Sequence, residues 1–199
     1  MKPHAAVVLA AGGSKRLGRA KQLLRRDGET LVHRAVRLAA TTSPTRLLVV
    51  LGADATRMEA ELRSCDCEIV LNDAWQEGLA SSLRAAARAL SAFDGKILVL
   101  GCDQPALEED HLASLVDGAK CSPSGAAATL HAGLPGIPAV VPATWFASFA
   151  ATGNHGFGAT LRELPKESLF LLDVAALEFD VDTLQDTKTA VARKWLDSN

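Results

Sequence analysis

The chain has 199 residues, a formal net charge of −2, and 48% hydrophobic against 22% charged residues. That balance is ordinary for a globular protein and excludes a disordered chain; without a basic excess, nucleic acid is not the expected partner. No apolar run approaches the ~20 residues of a membrane span, and the N-terminus reads into a strand rather than a signal peptide, so no membrane and a cytoplasmic location are expected.

Strand-like apolar runs are predicted at Ala5–Ala11, Arg46–Leu51, Cys67–Leu71 and Lys96–Gly101. Helical periodicity falls between them, at Leu31–Ala40, Thr56–Ser64 and Leu79–Ala92. Such βαβα alternation predicts a single-domain α/β fold, a mostly parallel, Rossmann-like sheet with helices on both faces. A helix follows at Glu108–Ala119, then strands at Ala126–His131 and Pro138–Pro142. Helices are expected at Trp145–Ala151 and Gly158–Leu164, a strand at Leu169–Asp173 and a closing helix at Thr183–Asp197. The four cysteines, Cys65, Cys67, Cys102 and Cys121, have neither a Cys-x-x-Cys nor a zinc spacing, which suits reduced thiols. The five histidines suggest no catalytic grouping; His155 is a candidate acceptor-site ligand or a surface residue.

The most informative stretch is LAAGGSKRLGRAKQLL. A buried strand breaks at Gly12-Gly13 into a loop carrying Lys15, Arg16, Arg19, Lys21, Arg25 and Arg26, with no acid before Asp27. Glycine permits positive φ and close approach, so that successive N–H groups converge on an anion. Arg16 and Lys21 would add mobile cationic heads for a triphosphate. The spacing fits neither a Walker A loop nor the dinucleotide fingerprint. A plain strand-to-helix turn with a solvated basic face is the bland alternative.

Ligands of open α/β sheets bind beyond the carboxyl ends of the strands. Three constellations sit there. Asp103, in Gly101-Cys102-Asp103-Gln104-Pro105, is either a ligand for a divalent cation or the N-cap of the next helix. Asn72 to Leu83 joins a strand to a helix: Asn72 offers donor and acceptor groups suited to a base, Gly78 permits close approach, and Ser81 and Ser82 can bind ligand or cap the helix. Trp75 there reads as core or lid. Phe179–Asp186 places Asp180 and Asp182 at the mouth of a short strand; Asp182 is a helix cap or a second metal ligand, and Thr183 is an alternative cap.

These residues resemble the MobA-like nucleotidyltransferases, whose signature is LAAG-x-S-x-R-M-G-x-x-K-x-L-L, and are most similar to the branch containing molybdenum cofactor cytidylyltransferase. Further matches are Gly52-Ala53, the N-x-x-W-x-x-G-x-x-S-S-L block at Asn72–Leu83, Asp103-Gln104-Pro105, Gly136-Ile137-Pro138 and Asp180-Val181-Asp182-Thr183. The resemblance implies a nucleotide-diphospho-sugar transferase type of sheet. It also implies transfer of CMP from CTP to the phosphate of the molybdenum pterin cofactor, with Mg2+ present, pyrophosphate released, and a molybdoenzyme or its chaperone as a possible partner. Ala11 in LAAG resembles the CTP-using branch; the guanylyl branch usually has LAGG.

Carried over residue by residue, the resemblance places Gly12, Gly13 and Ser14 on the β- and γ-phosphates, Arg16 on the triphosphate and Lys21 near the α-phosphate. Leu9, Ala10, Gly52, Asn72, Gly78 and Ser82 would border base and ribose, and Asp103 with Asp182 would hold the magnesium. Leu17 stands where Met is usual, Arg25 where Pro is common, and Ile137 where His is common. Gly153-Asn154-His155-Gly156-Phe157-Gly158-Ala159 departs from a Gly-Asp-x-Gly-Ala element, again in the half expected to hold the acceptor. Two other readings stand beside this one: a nucleotidyltransferase using GTP or a sugar or alcohol phosphate, and a nucleotide-binding accessory or redox protein on the same scaffold.

Overall fold

The computed structural model describes residues 3–151 and 157–198. After β1 (His4–Leu9) comes a two-residue ladder, β2 (Arg25–Arg26) with β3 (Glu29–Thr30), then β4 (Arg46–Leu51), β5 (Glu68–Leu71), β6 (Lys96–Gly101), β7 (Ala127–His131), β8 (Leu134–Pro142) and β9 (Phe170–Leu172). Apart from the β2–β3 ladder, these strands form one seven-stranded sheet in the order β5-β4-β1-β6-β8-β7-β9. The pairs β1–β4, β1–β6, β4–β5 and β7–β9 are parallel, while β8 runs antiparallel to both β6 and β7. The expected mostly parallel α/β sheet is the fold observed.

Side-chain alternation along β1 sorts the core into two layers. Ala6 and Val8 pack with Val32 and Leu38 of α1 (Leu31–Thr41), Met58 of α2 (Ala55–Glu61) and Leu115 of α4 (Glu109–Cys121). Ala5, Val7 and Leu9 face the other way, onto Leu83 of α3 (Leu79–Ala89), Phe146 of α5 (Ala143–Ala151) and Leu161 of α6 (Phe157–Glu163). A third, smaller cluster lies at the carboxyl end of the sheet. There Leu17, Leu24, Leu31 and Val181 pack with Ala190 of α7 (Leu184–Ala192) and with Leu196.

Three expectations need correction. The strand expected at Pro138–Pro142 begins at Leu134, because Ala132 (φ 49°) and Gly133 (φ 77°) make a left-handed turn that closes a hairpin with β7. The helix expected to reach Asp197 stops at Ala192: Lys194 is left-handed (φ 58°), and the chain folds back. Asp197 then accepts from the N–H groups of Asp27 and Gly28 at 2.8 Å each, bracing the β2–β3 turn. Finally, Phe179–Asp182 forms no strand. It is tied to the sheet end by Val181 N–H, which donates to the Asp103 carbonyl at 2.9 Å.

Candidate active site

The glycine loop leaves β1 beside the carboxyl ends of β4 and β6. Ala10 N–H still donates to Val50 O at 2.9 Å, but the next carbonyls turn out of the ladder. Ala11 O accepts from Ala53 N–H at 3.1 Å, while Ala10 O and Gly12 O both accept from the side-chain amide of Gln22, at 2.9 and 2.6 Å. Among the described residues, no backbone N–H from Ala11 to Arg16 meets a protein acceptor. This row of unspent donors is what an anion-binding loop requires. The positive φ expected at Gly12-Gly13 lies instead at Ser14 (φ 47°) and Gly18 (φ 74°). Gly13 is needed for a different reason: a Cβ there would come within 2.7 Å of the Trp75 ring. Gly52 is constrained by the same residue, since a Cβ there would lie 2.5 Å from the Trp75 Cβ. Trp75 is thus a wall on which the loop rests.

Arg16, Lys21, Asp103 and Asp182 converge. Lys21 Nζ donates to Asp103 at 2.7 Å and to Asp182 at 2.8 Å; Arg16 donates to Asp182 at 2.6 Å. Burial opposes the charge on Lys21, but the two carboxylates outweigh it and raise its pKa well above the ordinary lysine value. Burial likewise opposes the charge of Asp182, and Lys21 with Arg16 overcomes it, holding this carboxyl below the usual range. Asp180, on the same segment, is open to solvent along its edge. Partial burial of its carboxyl, then the charge of Asp103, pushes it up to about 7.

Neither acid is a helix cap. Glu108 caps α4, sharing a capping box with His111, and Thr183 caps α7, accepting from Asp186 N–H at 3.1 Å. Asp103 and Asp182 are left facing one cationic point. Gly101 gives Asp103 room to turn back, since a Cβ there would lie 2.5 Å from its Oδ1. Two carboxylates converging on a single lysine ammonium are a donor set suited to a magnesium-type cation, which commonly takes one or two carboxylates and completes its shell with phosphates and water. Among the described residues, no group of three or more His, Cys, Asp or Glu side chains forms a self-sufficient cage.

Beside this charged corner is a cavity of about 220 Å³. It is lined by Leu9, Ala10, Ala11 and Gly12 at the end of β1, by Trp75, Gly78, Leu79 and Ser82 before and within α3, by Cys102 and Asp103 after β6, and by Ile137 of β8. Its mixture of an apolar slot and a polar, charged end suits a nucleoside whose phosphates leave toward the loop. Cys102 is a packing residue, as expected: burial pushes its thiol up to about 12.

The expected site residues thus divide. Leu9, Ala10, Ala11, Gly12, Lys21, Gly78, Ser82 and Asp103 line the cavity. Ser14, Arg16 and Asp182 adjoin its charged end through Lys21 and one another, and Gly13 and Gly52 pack on Trp75. Asn72 corrects the expectation of direct base contact. It is 4% exposed, and its amide nitrogen donates to Ser81 Oγ (2.8 Å) and Ser82 Oγ (3.0 Å) while its oxygen accepts from Ala74 N–H. With every group spent internally, it shapes the turn. Ile137, singled out on the acceptor side, lines the cavity, and so do Leu79 and Gln22, which were not among the expected site residues; for Gln22 the available signal was a polar residue directly before the Leu23-Leu24 pair. His4, His33, His111 and His131 all have structural partners. His155 and residues 153–156 of the divergent glycine element lie outside the described residues.

Fold and site together define a nucleotidyltransferase-type α/β domain. The profile of the MobA-like NTP transferase domain matches residues 6–168, and the chain belongs to that family. The bifunctional protein GlmU of Corynebacterium diphtheriae is 34% identical over 131 residues, covering 61% of this chain and 27% of that protein. The chain therefore spans about a quarter of the GlmU proteins it resembles. Nicotine blue oxidoreductase of Paenarthrobacter nicotinovorans is 33% identical over 167 residues, 80% of this chain and 81% of that protein. Among solved structures, a nucleotidyl transferase from Methanothermobacter superposes with a TM-score of 0.82 at 21% identity, covering 98% of each chain. A protein from Mycobacterium tuberculosis H37Rv, solved as a manganese complex, superposes with a TM-score of 0.75 at 23% identity, covering 96% of this chain and 99% of that one.

Proposed function

We propose that this protein transfers CMP from CTP to the phosphate of the molybdenum pterin cofactor, releasing pyrophosphate. The observation that carries a metal-dependent triphosphate reaction is the convergence of Arg16, Lys21, Asp103 and Asp182 at the mouth of a nucleoside-sized cavity. An acceptor phosphate oxygen attacks the α-phosphorus, the bond to the bridging oxygen breaks, and its electron pair leaves with pyrophosphate. The acceptor is already ionised at neutral pH, so no general base is required. Arg16, Lys21 and the unspent N–H groups of residues 11–16 stabilise the charge on the departing phosphates. A divalent ion held by Asp103 and Asp182, for which magnesium is the choice, would neutralise charge on the phosphates and orient them.

The preference for CTP rests on Ala11 and on the compact slot. Ser82 already accepts from Asn72, so its own proton is the group available to a base carbonyl. Pyrophosphate release should be measured with CTP and GTP, each with the molybdenum pterin and with sugar phosphates. No release with any pairing refutes transferase activity; release only with GTP or a sugar phosphate moves the assignment to a related transferase. A redox role is favoured by one observation, the oxidoreductase name of a relative matched over four-fifths of both chains. Flavin absorbance in the purified protein, with no pyrophosphate release, would select it.

A further inference from the structure

Gln22 is a polar side chain with 1% exposure, lying under the glycine loop rather than in its line of charge. Its amide is fully engaged. Nε2 donates to the carbonyls of Ala10 and Gly12, and Oε1 accepts from Ser14 Oγ at 3.3 Å. Ser14 Oγ accepts in turn from Lys21 N–H at 3.1 Å, which fixes where the lysine begins.

In a trans peptide the carbonyl and the following N–H point in opposite directions. Holding the Ala10 and Gly12 carbonyls inward therefore turns the N–H groups of Ala11 and Gly13 outward. A Cβ at Gly12 would meet nothing within 4 Å, so on that side no packing fixes the Gly12–Gly13 peptide, and Trp75 bounds it only at Gly13. A rotated peptide would aim an oxygen at the phosphates.

We infer that Gln22 is the positioning residue of the phosphate loop: its amide sequesters two alternate carbonyls so that the intervening and following N–H groups face a polyphosphate. The inference rests on the triphosphate reading above. It specifies which part of the nucleotide depends on Gln22: the outer phosphates, and not the nucleoside.

Calorimetry on wild type, Gln22→Met and Gln22→Glu with magnesium, using CTP and GTP and then the monophosphate of whichever binds, tests it. Methionine keeps the length without hydrogen bonds; glutamate keeps an acceptor for Ser14 but repels both carbonyls. Triphosphate binding should weaken on the order of ten- to a hundredfold in both variants, as expected for losing one or two charge-assisted hydrogen bonds, with monophosphate binding little changed. An unchanged ratio of triphosphate to monophosphate affinity overturns the inference, whatever happens to thermal stability. Failure of wild type to bind any triphosphate instead overturns the reading beneath it. Should neither variant fold, a crystal of wild type with the triphosphate decides: Ala11 and Gly13 N–H groups within hydrogen-bond reach of phosphate oxygens support the role, and N–H groups facing away end it.

Discussion

Replacing Lys21 with methionine removes a cation that touches both site acids, at 2.7 and 2.8 Å, while retaining much of the length of the side chain. Three consequences follow with different signs. Two charge-assisted hydrogen bonds are lost, but Asp103 and Asp182 are 28% and 33% exposed and regain water. The net stability cost is therefore about 1–2 kcal/mol, at the discounted end of such contacts, or a fall of roughly 2–8 °C in Tm for a domain of this size. Turnover should drop ~10²–10³-fold, because the cation acts on charge developing in the transition state. Binding of Mn2+ without nucleotide, followed by electron paramagnetic resonance, should tighten, since the ammonium no longer competes for the two carboxylates. Near-wild-type turnover, or Mn2+ binding that is unchanged or weaker, refutes the reasoning that Lys21 occupies the place a divalent ion would take.

Asp103→Asn should abolish metal-dependent pyrophosphate release while leaving the fold intact, because Lys21 keeps Asp182; activity surviving in chelator removes the metal role. Asp182 has a folded-state pKa below its ordinary value of 3.8, so its contribution to stability is present above that pH and lost as pH falls through the folded value. Urea unfolding against pH should accordingly show wild type and Asp182→Asn converging in acid and separating by pH 6; parallel curves across that window contradict it. Leu17 is 4% exposed and seated between the loop and the C-terminal segment, so Leu17→Ala should cost about 2–5 kcal/mol and raise KM for the triphosphate. Lost stability with an unchanged KM would separate the packing from the site.

Much of this was legible in the sequence because the signals were local. Apolar runs gave β1, β4 and β6, and helical spacing gave α1 and α3, each to within a few residues. The basic loop and Asp103 were readable for the same reason: strand ends in an open α/β sheet are where ligands sit. What escaped was set by distant contacts. Nothing near Asp182 in the chain says that it pairs with Arg16, 166 residues away, rather than capping α7. Asn72 presents the chemistry of base recognition, yet two serines on the next helix consume its donors. The turn at Ala132-Gly133 was obscured by three prolines in the following strand, residues ordinarily read as strand breakers.

The same distant contacts explain how the site can hold so much charge of both signs. An isolated loop with six basic residues would repel itself, and two carboxylates alone at a strand end would do likewise. Val181, fully buried beside Leu17, brings the acidic segment onto the basic loop, and its N–H is tied to the Asp103 carbonyl. Opposite charges are thereby held a hydrogen bond apart by apolar packing that does not depend on them. A triphosphate with its cation presents the same two signs of charge in complementary order: phosphates for Arg16 and Lys21, metal for Asp103 and Asp182. Binding then exchanges ion pairs within the protein for ion pairs with the ligand, and neither sign is stranded. A metal alone must displace Lys21, and a triphosphate alone must face two carboxylates. The geometry therefore favours the metal–nucleotide complex over either component by itself.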